Sequence, residues 1–565
     1  MKTCARASLV GLTLGLACAG CADGEGRPHF ADGGADASND ASSRVDGSVP
    51  RDAGSDGFVA RDTSTIAPTQ CSPDLAYFED EHGRQIYCVF VATSGDDMRG
   101  DGTHASPFRT IGHGIDVAVA QGVATGHVHA VAVSRGTYDE RVVLANGVSV
   151  YGGFDASDRW SRSAGNVTSI ESHVLTDGRV EAVVAEDVSA PTVLERFTIH
   201  ASPGPGAPPG TDVYGVRVAR STPVLAMLGG LSLRDLVVVS GPGALGRAGS
   251  PGDPGHDGEI GGTGPAGSTA SGDAIPGGVG SLSLCDGVPV PQSRGGEGGS
   301  GGGDGAMGCG TYREDASPGL APSGLASCAG GTPGDACSCV SPIDYEGANG
   351  GEGHSCASGP ASAGSSAMAS PMRGSVVGSV WQGLSAEGGS PGQAGIGGSG
   401  GGGGGAGCNA GGWGATGGGG GGGGSGGCGG HGGGGGGAGG SSFALFAVDA
   451  TIELVASMLV SGTGGAGGAG GAGGAGADGG MGGPGGPGGY AGGPGGQGQR
   501  GGDGGAGAGG PGGSSAAVLT CRATVNGLDL ATLTEGTAGL GGAAAPSGVA
   551  GVAGTATRVV DACAL

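Results

Sequence analysis

Short apolar runs separated by tight turns set the pattern of residues 87–154. Val89-Phe90-Val91-Ala92 reads as a strand, and Ser94 to Thr103 as a polar loop rich in Gly and Asp. After Ser106-Pro107-Phe108-Arg109-Thr110-Ile111, apolar residues at 111, 115, 118, 119 and 123 keep a helical spacing. Brief strands follow at Ala130–Val133, Val142–Leu144 and Val148–Tyr151, with turns at Arg135-Gly136 and Asn146-Gly147. Short strands with no helices between them predict a solenoid rather than a doubly wound sheet. The early helix would cap its open end, where an exposed first rung invites edge pairing. Further rungs are expected at Val183-Val184, Val193-Leu194, Phe197-Thr198-Ile199, Val216–Val218 and Leu231–Val239.

Beyond residue 240 a period of three takes over. Gly recurs at every third position from Gly243 to Gly267, Gly389 to Gly407, Gly411 to Gly435 and Gly464 through Tyr490. Polyproline-II-type helices turn once every three residues, so this register lines one edge with Gly and lets backbones approach along it. A collagen triple helix would need partner chains and more Pro than these blocks hold. The alternatives are polyglycine II helices, hydrogen-bonded side by side within one chain, and a flexible Gly-rich spacer. The junctions favour order. Apolar stretches Val224–Val239, Ala444–Val460 and Ala517–Thr534 lead into Ser240-Gly241, Ser461-Gly462 and Glu535-Gly536, and a fourth, Ser375–Leu384, precedes Ala386-Glu387-Gly388. Such a repeat, with inserts of variable length, is met most simply by a β-helix. Its coils, stacked about 4.8 Å apart, would each extrude a Gly-rich excursion from one corner.

The order Ser94-Gly95-Asp96-Asp97, Gly102-Thr103, Pro107-Phe108, Gly136-Thr137-Tyr138-Asp139-Glu140 and Gly147 to Phe154 resembles the opening coils of right-handed parallel β-helix proteins. These include the pectate-lyase-like group and related bacterial surface proteins. The resemblance implies an all-β fold: a right-handed parallel β-helix with a short N-terminal capping helix, polyglycine-II-like excursions and a disordered N-terminal tether. The expected division is β-helix coils over 71–240 and a Gly-rich and Cys-rich insert over 241–440, with a coil near 375–385. A coil over 441–463, a triplet insert over 464–513 and a C-terminal coil over 514–565 complete it.

The resemblance also raises glycan cleavage. Lyases with a Lys base are excluded for the exported chain, because Lys2 is the only Lys and lies in the expected export signal. For hydrolases, Asp96-Asp97 and Gly112-His113-Gly114 supply suggestive letters, but no Asn-Thr-Asp or Arg-Ile-Lys segment accompanies them. As calcium ligands, Asp96, Asp97 and Asp101 fail the EF-hand register, since Arg99 stands where Asp or Asn is needed. No catalytic residue, cofactor or metal is therefore expected.

Composition sharpens this reading. With 146 Gly and 30 Pro among 565 residues and only 4 % aromatic, a globular enzyme packed throughout is a poor fit. A formal charge of −25, without a basic face, excludes nucleic acid as a partner. Segment 241–513 holds five Arg against eighteen Asp and Glu, an acidic surface suited to solubility or cation contact.

Lys2 and Arg6 flank the start of an apolar run, Ala7–Ala17, too short to span a bilayer but right for an export signal over 1–20. Leu16-Ala17-Cys18-Ala19-Gly20-Cys21 resembles the lipobox of bacterial lipoproteins, which implies diacylation of Cys21. Cys18 stands where that family prefers Leu, and cleavage after Ala19, leaving a soluble exported protein, is the alternative. Residues 21–70 read as an acidic disordered tether, with eight Asp, one Glu and four Arg after Cys21. The expectation is a noncatalytic outer-membrane lipoprotein, surface-exposed, acting as a scaffold or adhesin. Its partners would be the membrane, through the lipid, and an extracellular polysaccharide or another cell surface. A glycan-cleaving enzyme and an ice- or surface-binding polyglycine bundle are the other classes.

Besides Cys4, Cys18 and Cys21, the cysteines fall in even groups: Cys71 and Cys88; six from Cys285 to Cys356; Cys408 and Cys428; Cys521 and Cys563. Even groups favour local disulfides. A rival metal site from Cys337, Cys339, His354 and Cys356 lacks the spacing of familiar zinc modules.

Overall fold

A computed structural model describes residues 71–80, 83–223, 230–268, 273–302, 316–322, 328–335, 348–407 and 415–563, all within the unit Pro68–Leu565. The expected signal, Cys21 and the tether lie outside the described residues.

Three mainly parallel sheets, of nine, seven and six strands, organise the apolar part. The chain visits them in rotation. Arg179–Glu186 lies in the second sheet, Thr192–Glu195 in the first and Thr198–Ala201 in the third; Asp212–Ala219, Leu231–Arg234 and Val237–Ser240 then repeat the circuit, each parallel to its predecessor. Ser442–Val448, Thr451–Val455 and Met458–Val460 make the next circuit, and Ser515–Cys521, Thr524–Asn526 and Thr532–Thr534 the one after. The strand Ala556–Asp561 closes the second sheet.

Parallel register stacks like on like. Val142, Val183, Val216, Leu445 and Val518 form one inward column. Ile170, Ile199, Val238 and Leu459 form another, and Val150, Leu194, Leu233 and Leu454 a third. All belong to one buried cluster shared by the three sheets. The corners after four successive second-sheet strands, from Arg179–Glu186 to Ser515–Cys521, turn through a left-handed residue: Asp187, Arg220, Asp449, then Arg522, with φ between 48° and 56°. Left-handed backbone is costly for most side chains. Here the stacked corners alternate in charge, and Arg220 pairs with Asp187 while Arg522 pairs with Asp449.

The helix Ile111–Thr125 lies where the spacing places it, burying Ile111, Gly114, Ile115 and Ala118, but Val119 and Val123 are exposed. The segment near 375–385 departs from expectation. It is an antiparallel hairpin, Gly374–Val377 with Val380–Gly383, not a further circuit. Two turn-linked strands without a third cannot complete a circuit. Instead Trp381 packs over Tyr214, Phe443 and Phe446 on the outer face of the second sheet, and its backbone N–H donates to the Tyr214 hydroxyl.

Every long Gly-rich excursion leaves after a third-sheet strand and returns to the second sheet. The excursions bond to one another. Around segment 415–440, the N–H groups of Gly418, Gly421 and Gly424 donate to 490–496, those of Gly419, Gly422 and Ser425 to 259–265, and those of Gly417, Gly420 and Gly423 to 296–302. Its carbonyls accept from Gly398 and Gly401, from Gly483 and Gly486, and from Gly278 and Ser281. Six segments thus enclose a seventh, and the ring closes through bonds between its own neighbours, such as Gly246 to Ala466, Gly495 to Gly483 and Gly296 to Gly398.

This enclosure explains the glycine run at 417–424. A Cβ on Gly420 would overlap the Gly401 carbonyl, one on Gly421 the Gly483 carbonyl, and one on Gly422 the Val279 carbonyl. All three triplet positions face a backbone, so none tolerates a side chain. Segment 463–489, on the rim, keeps one outward column with Ala475, Asp478, Met481, Pro484 and Pro487 exposed. Gly421→Ala should destabilise the chain by about 3 kcal/mol or more, because backbone rather than a flexible side chain would have to shift. Ala475→Ser should change stability by less than about 0.5 kcal/mol. Denaturant melts of the two variants check this; equal effects would contradict the enclosure.

Candidate interaction surface

The acidic loop that carried the enzymatic alternative is occupied with its own backbone. Asp96 Oδ1 accepts from the N–H groups of Met98 and Arg99. Asp97 accepts from the N–H groups of Arg109, at 2.7 Å, and Thr110, at 3.0 Å, and from the Thr110 hydroxyl. Burial works to raise the Asp97 carboxyl, but these donors outweigh it and hold it below the usual range. Asp101 accepts from Thr103 N–H, which holds it low as well. His113 lies edge-on to Phe108 with ring centres 4.6 Å apart. Glu140, from the Gly136–Glu140 run, takes the N–H groups of Ile111 and Gly112 at the helix start; burial raises its pKa against that cap. Tyr138 donates to the Ser134 carbonyl. These residues fix the first circuit and its helix.

Cys71 pairs with Cys88 and Cys521 with Cys563. Cys428 does not pair within its sequence group: its partner is Cys285, 143 residues away, while Cys328 pairs with Cys356. Cys408 and the Cys337 and Cys339 of the rival metal set lie outside the described residues. Cys356, in a disulfide, offers no thiolate. No His, Cys, Asp and Glu grouping with metal-holding geometry occurs among the described residues, and no described helix is long and apolar enough to cross a membrane.

The Cys285–Cys428 pairing follows from the bundle. Segment 275–283 runs beside 415–440 and ends at the short hairpin Leu284–Cys285 with Val288–Pro289. Side chains reappear on 415–440 at that level, one per triplet. Ser425 bonds Ser283, Cys428 bonds Cys285, and His431 reaches Asp286 at 3.0 Å. Sequence reasoning missed this pairing: the three-residue steps Ser425, Cys428, His431 show that these side chains share one edge, but not which run they face.

Where the bundle meets the sheets, Asp212, Arg247, Pro209, Ser385 and Gly437 line an open cavity of about 220 Å3. Asp212 accepts the Ser441 N–H at 2.6 Å. Burial pushes its carboxyl up to about 7, against that hydrogen bond and the nearby Arg179. Sequence reasoning missed this residue, since an Asp opening a strand looks like any turn acid.

Comparison with protein-family models, curated proteins and solved structures finds no match to this chain.

Two measurements check the site chemistry. Cys285→Ser should cost about 4 kcal/mol, because the bridge closes a long loop, and peptide mapping without reduction should recover Cys285 joined to Cys428; recovery of Cys408 joined to Cys428 would contradict it. For Asp212, the folded carboxyl keeps its proton up to about pH 7, whereas an unfolded Asp loses it near about 3.9. Its protonation therefore favours the folded state fully below about pH 3.9, and that contribution falls progressively as pH rises and is gone above about 7. Asp212→Asn should therefore melt higher than the parent at pH 8 and equal to it at pH 4; the same gap at both pH values would refute the assignment.

Proposed function

We propose that this chain is a noncatalytic, exported surface scaffold. In this reading the three sheets are the faces of a parallel β-helix, right-handed as parallel crossovers almost always are. The excursions are polyglycine II helices. The whole is held off an outer membrane by lipid on Cys21 and the acidic tether, and it contacts an extracellular polysaccharide or a neighbouring cell surface.

The observation that carries the reading is the common exit of the excursions. Because each leaves from the same corner of stacked circuits, they lie side by side and satisfy one another's backbone groups. For a three-residue turn rising about 3.1 Å per residue, segment 415–440 extends roughly 80 Å. A long stiff body of this kind suits display and contact. The Asp residues that a hydrolase would need are engaged as loop and helix-start acceptors, which favours the scaffold over the enzyme.

The test is made in a Gram-negative host. The wild-type chain should incorporate labelled palmitate, fractionate with the outer membrane and be shaved from intact cells by protease. Cys21→Ala should lose the label and move to the soluble fraction. Unlabelled wild-type protein in the soluble fraction would overturn the anchor, and turnover of a uronate polymer abolished by Asp97→Ala would overturn the scaffold.

A further inference from the structure

The ring around segment 415–440 is complete only in the half far from the sheets. Residues 416–428 are continuously buried; from 431 to 438, two residues of each triplet are partly exposed. The cause is local. Segment 294–302 occupies one ring position beside Gly417 to Gly426, receiving the N–H groups of Gly417, Gly420, Gly423 and Gly426 at 302, 299, 296 and 293. At Pro291–Ser293 it turns away. That position, and beside it the one that segment 275–283 leaves at the Leu284–Cys285 hairpin, continue toward the sheets as an open groove, floored by 429–438, walled on the first side by 386–394 and ending at the cavity beside Asp212 and Gly437.

The groove keeps the bonding pattern of the filled half. The N–H groups of Gly429, Gly432 and Gly435 continue the donor series, and no described residue accepts from them. On the wall, the carbonyls of Gly398, Gly401 and Gly404 accept from Gly296, Gly299 and Gly302 in the filled half; those of Gly389 and Gly392 continue that series with no described donor. Successive donors recur about every 9 Å at a polyproline-II rise. This is the three-residue counterpart of a bare sheet edge, which recruits a strand through its unpaired backbone groups.

The geometry points to a docking groove for a single extended Gly-X-Y strand of a partner protein, seated as the continuation of segment 294–302. The steric demand selects the class. In the filled half a Cβ on Gly295, Gly298 or Gly301 would overlap the carbonyls of Gly423, Gly420 or Gly417, so an occupant needs Gly at every third residue. Its other positions are freer, since Pro391 and Gly388 on the wall are exposed. The strand would accept from Gly429, Gly432 and Gly435 and donate to Gly389 and Gly392.

The probe is a fluorescent, end-capped peptide of residues 294–302, Arg-Gly-Gly-Glu-Gly-Gly-Ser-Gly-Gly, titrated against the full chain by anisotropy. Saturable binding is expected, weakened at least tenfold when the residues matching Gly295, Gly298 and Gly301 are replaced by Ala. Ala394→Trp and, separately, Pro391→Trp place bulk on the wall outside the enclosed contacts. Each should abolish binding with the melting temperature unchanged, and whichever variant stays folded decides the point. No binding at millimolar protein overturns the proposal, as it would if the chain's own residues filled the groove. Equal binding of the Ala peptide, or full binding by a folded Trp variant, overturns it too.

Discussion

Backbone packed directly against backbone, with no room for a Cβ, is the contact on which the Gly-rich half of this protein depends. Glycine is entropically the most expensive residue to order, and fixing a backbone costs about 1–2 kcal/mol per residue. Apolar burial cannot offset that cost where the side chain is a hydrogen atom. What remains is hydrogen bonding without competing water, and it is used fully. Between residues 416 and 428 every N–H group donates to a neighbouring segment. An unpaired buried donor would be costly, so the packing and the pairing stand or fall together.

Such a bundle needs its segments delivered in register, and the stacked sheets do this. Valine, leucine and isoleucine columns fix the circuits one strand spacing apart. A hydroxyl chain then hands the register on: Ser240 bonds Ser442, and Ser461 bonds Ser515, each at the point where a strand ends and a Gly segment begins. The Cys285–Cys428 bridge, far from the sheets, fastens a segment that the sheets do not hold directly. Hydrophobic burial thus acts at one end of each excursion, and covalent and polar contacts act along it.

Much of this was legible in the residues. The short strands, the early helix and the exits at Ser240, Ser461 and Glu535 follow from local pattern, because each reflects burial or turn geometry within a few residues. The triplet register is visible for the same reason. Partner identity is not. A Gly column says that a backbone lies alongside, not which one, so Cys428 could not be matched to Cys285 from spacing. Ser375–Leu384 misled because an apolar run facing outward onto Tyr214 and Phe443 has the same letters as one facing a core. Asp97 and Glu140 were visible as acids, but their occupation by backbone N–H groups depends on the fold around them.

The composition of each triplet carries more than its period. Segment 415–440 is nearly pure Gly where six neighbours surround it and admits Ser, Cys and His where one neighbour ends. Segment 386–407 shows the same transition along its own length. Its column Gly388, Pro391, Ala394 is open to solvent or partly so, and the continuation Gly397, Gly400, Gly403 is buried once segments 294–302 and 316–322 arrive beside it. A side chain on that buried stretch would meet the carbonyls of Arg294, Glu297 and Ser300. A non-Gly position in a triplet therefore marks a side with room for a side chain, although an open side can also stay Gly, as it does from Gly432 to Gly437. A sheet protein writes its buried face in large apolar residues; this bundle writes it in residues with no side chain, and its exposed faces in everything else.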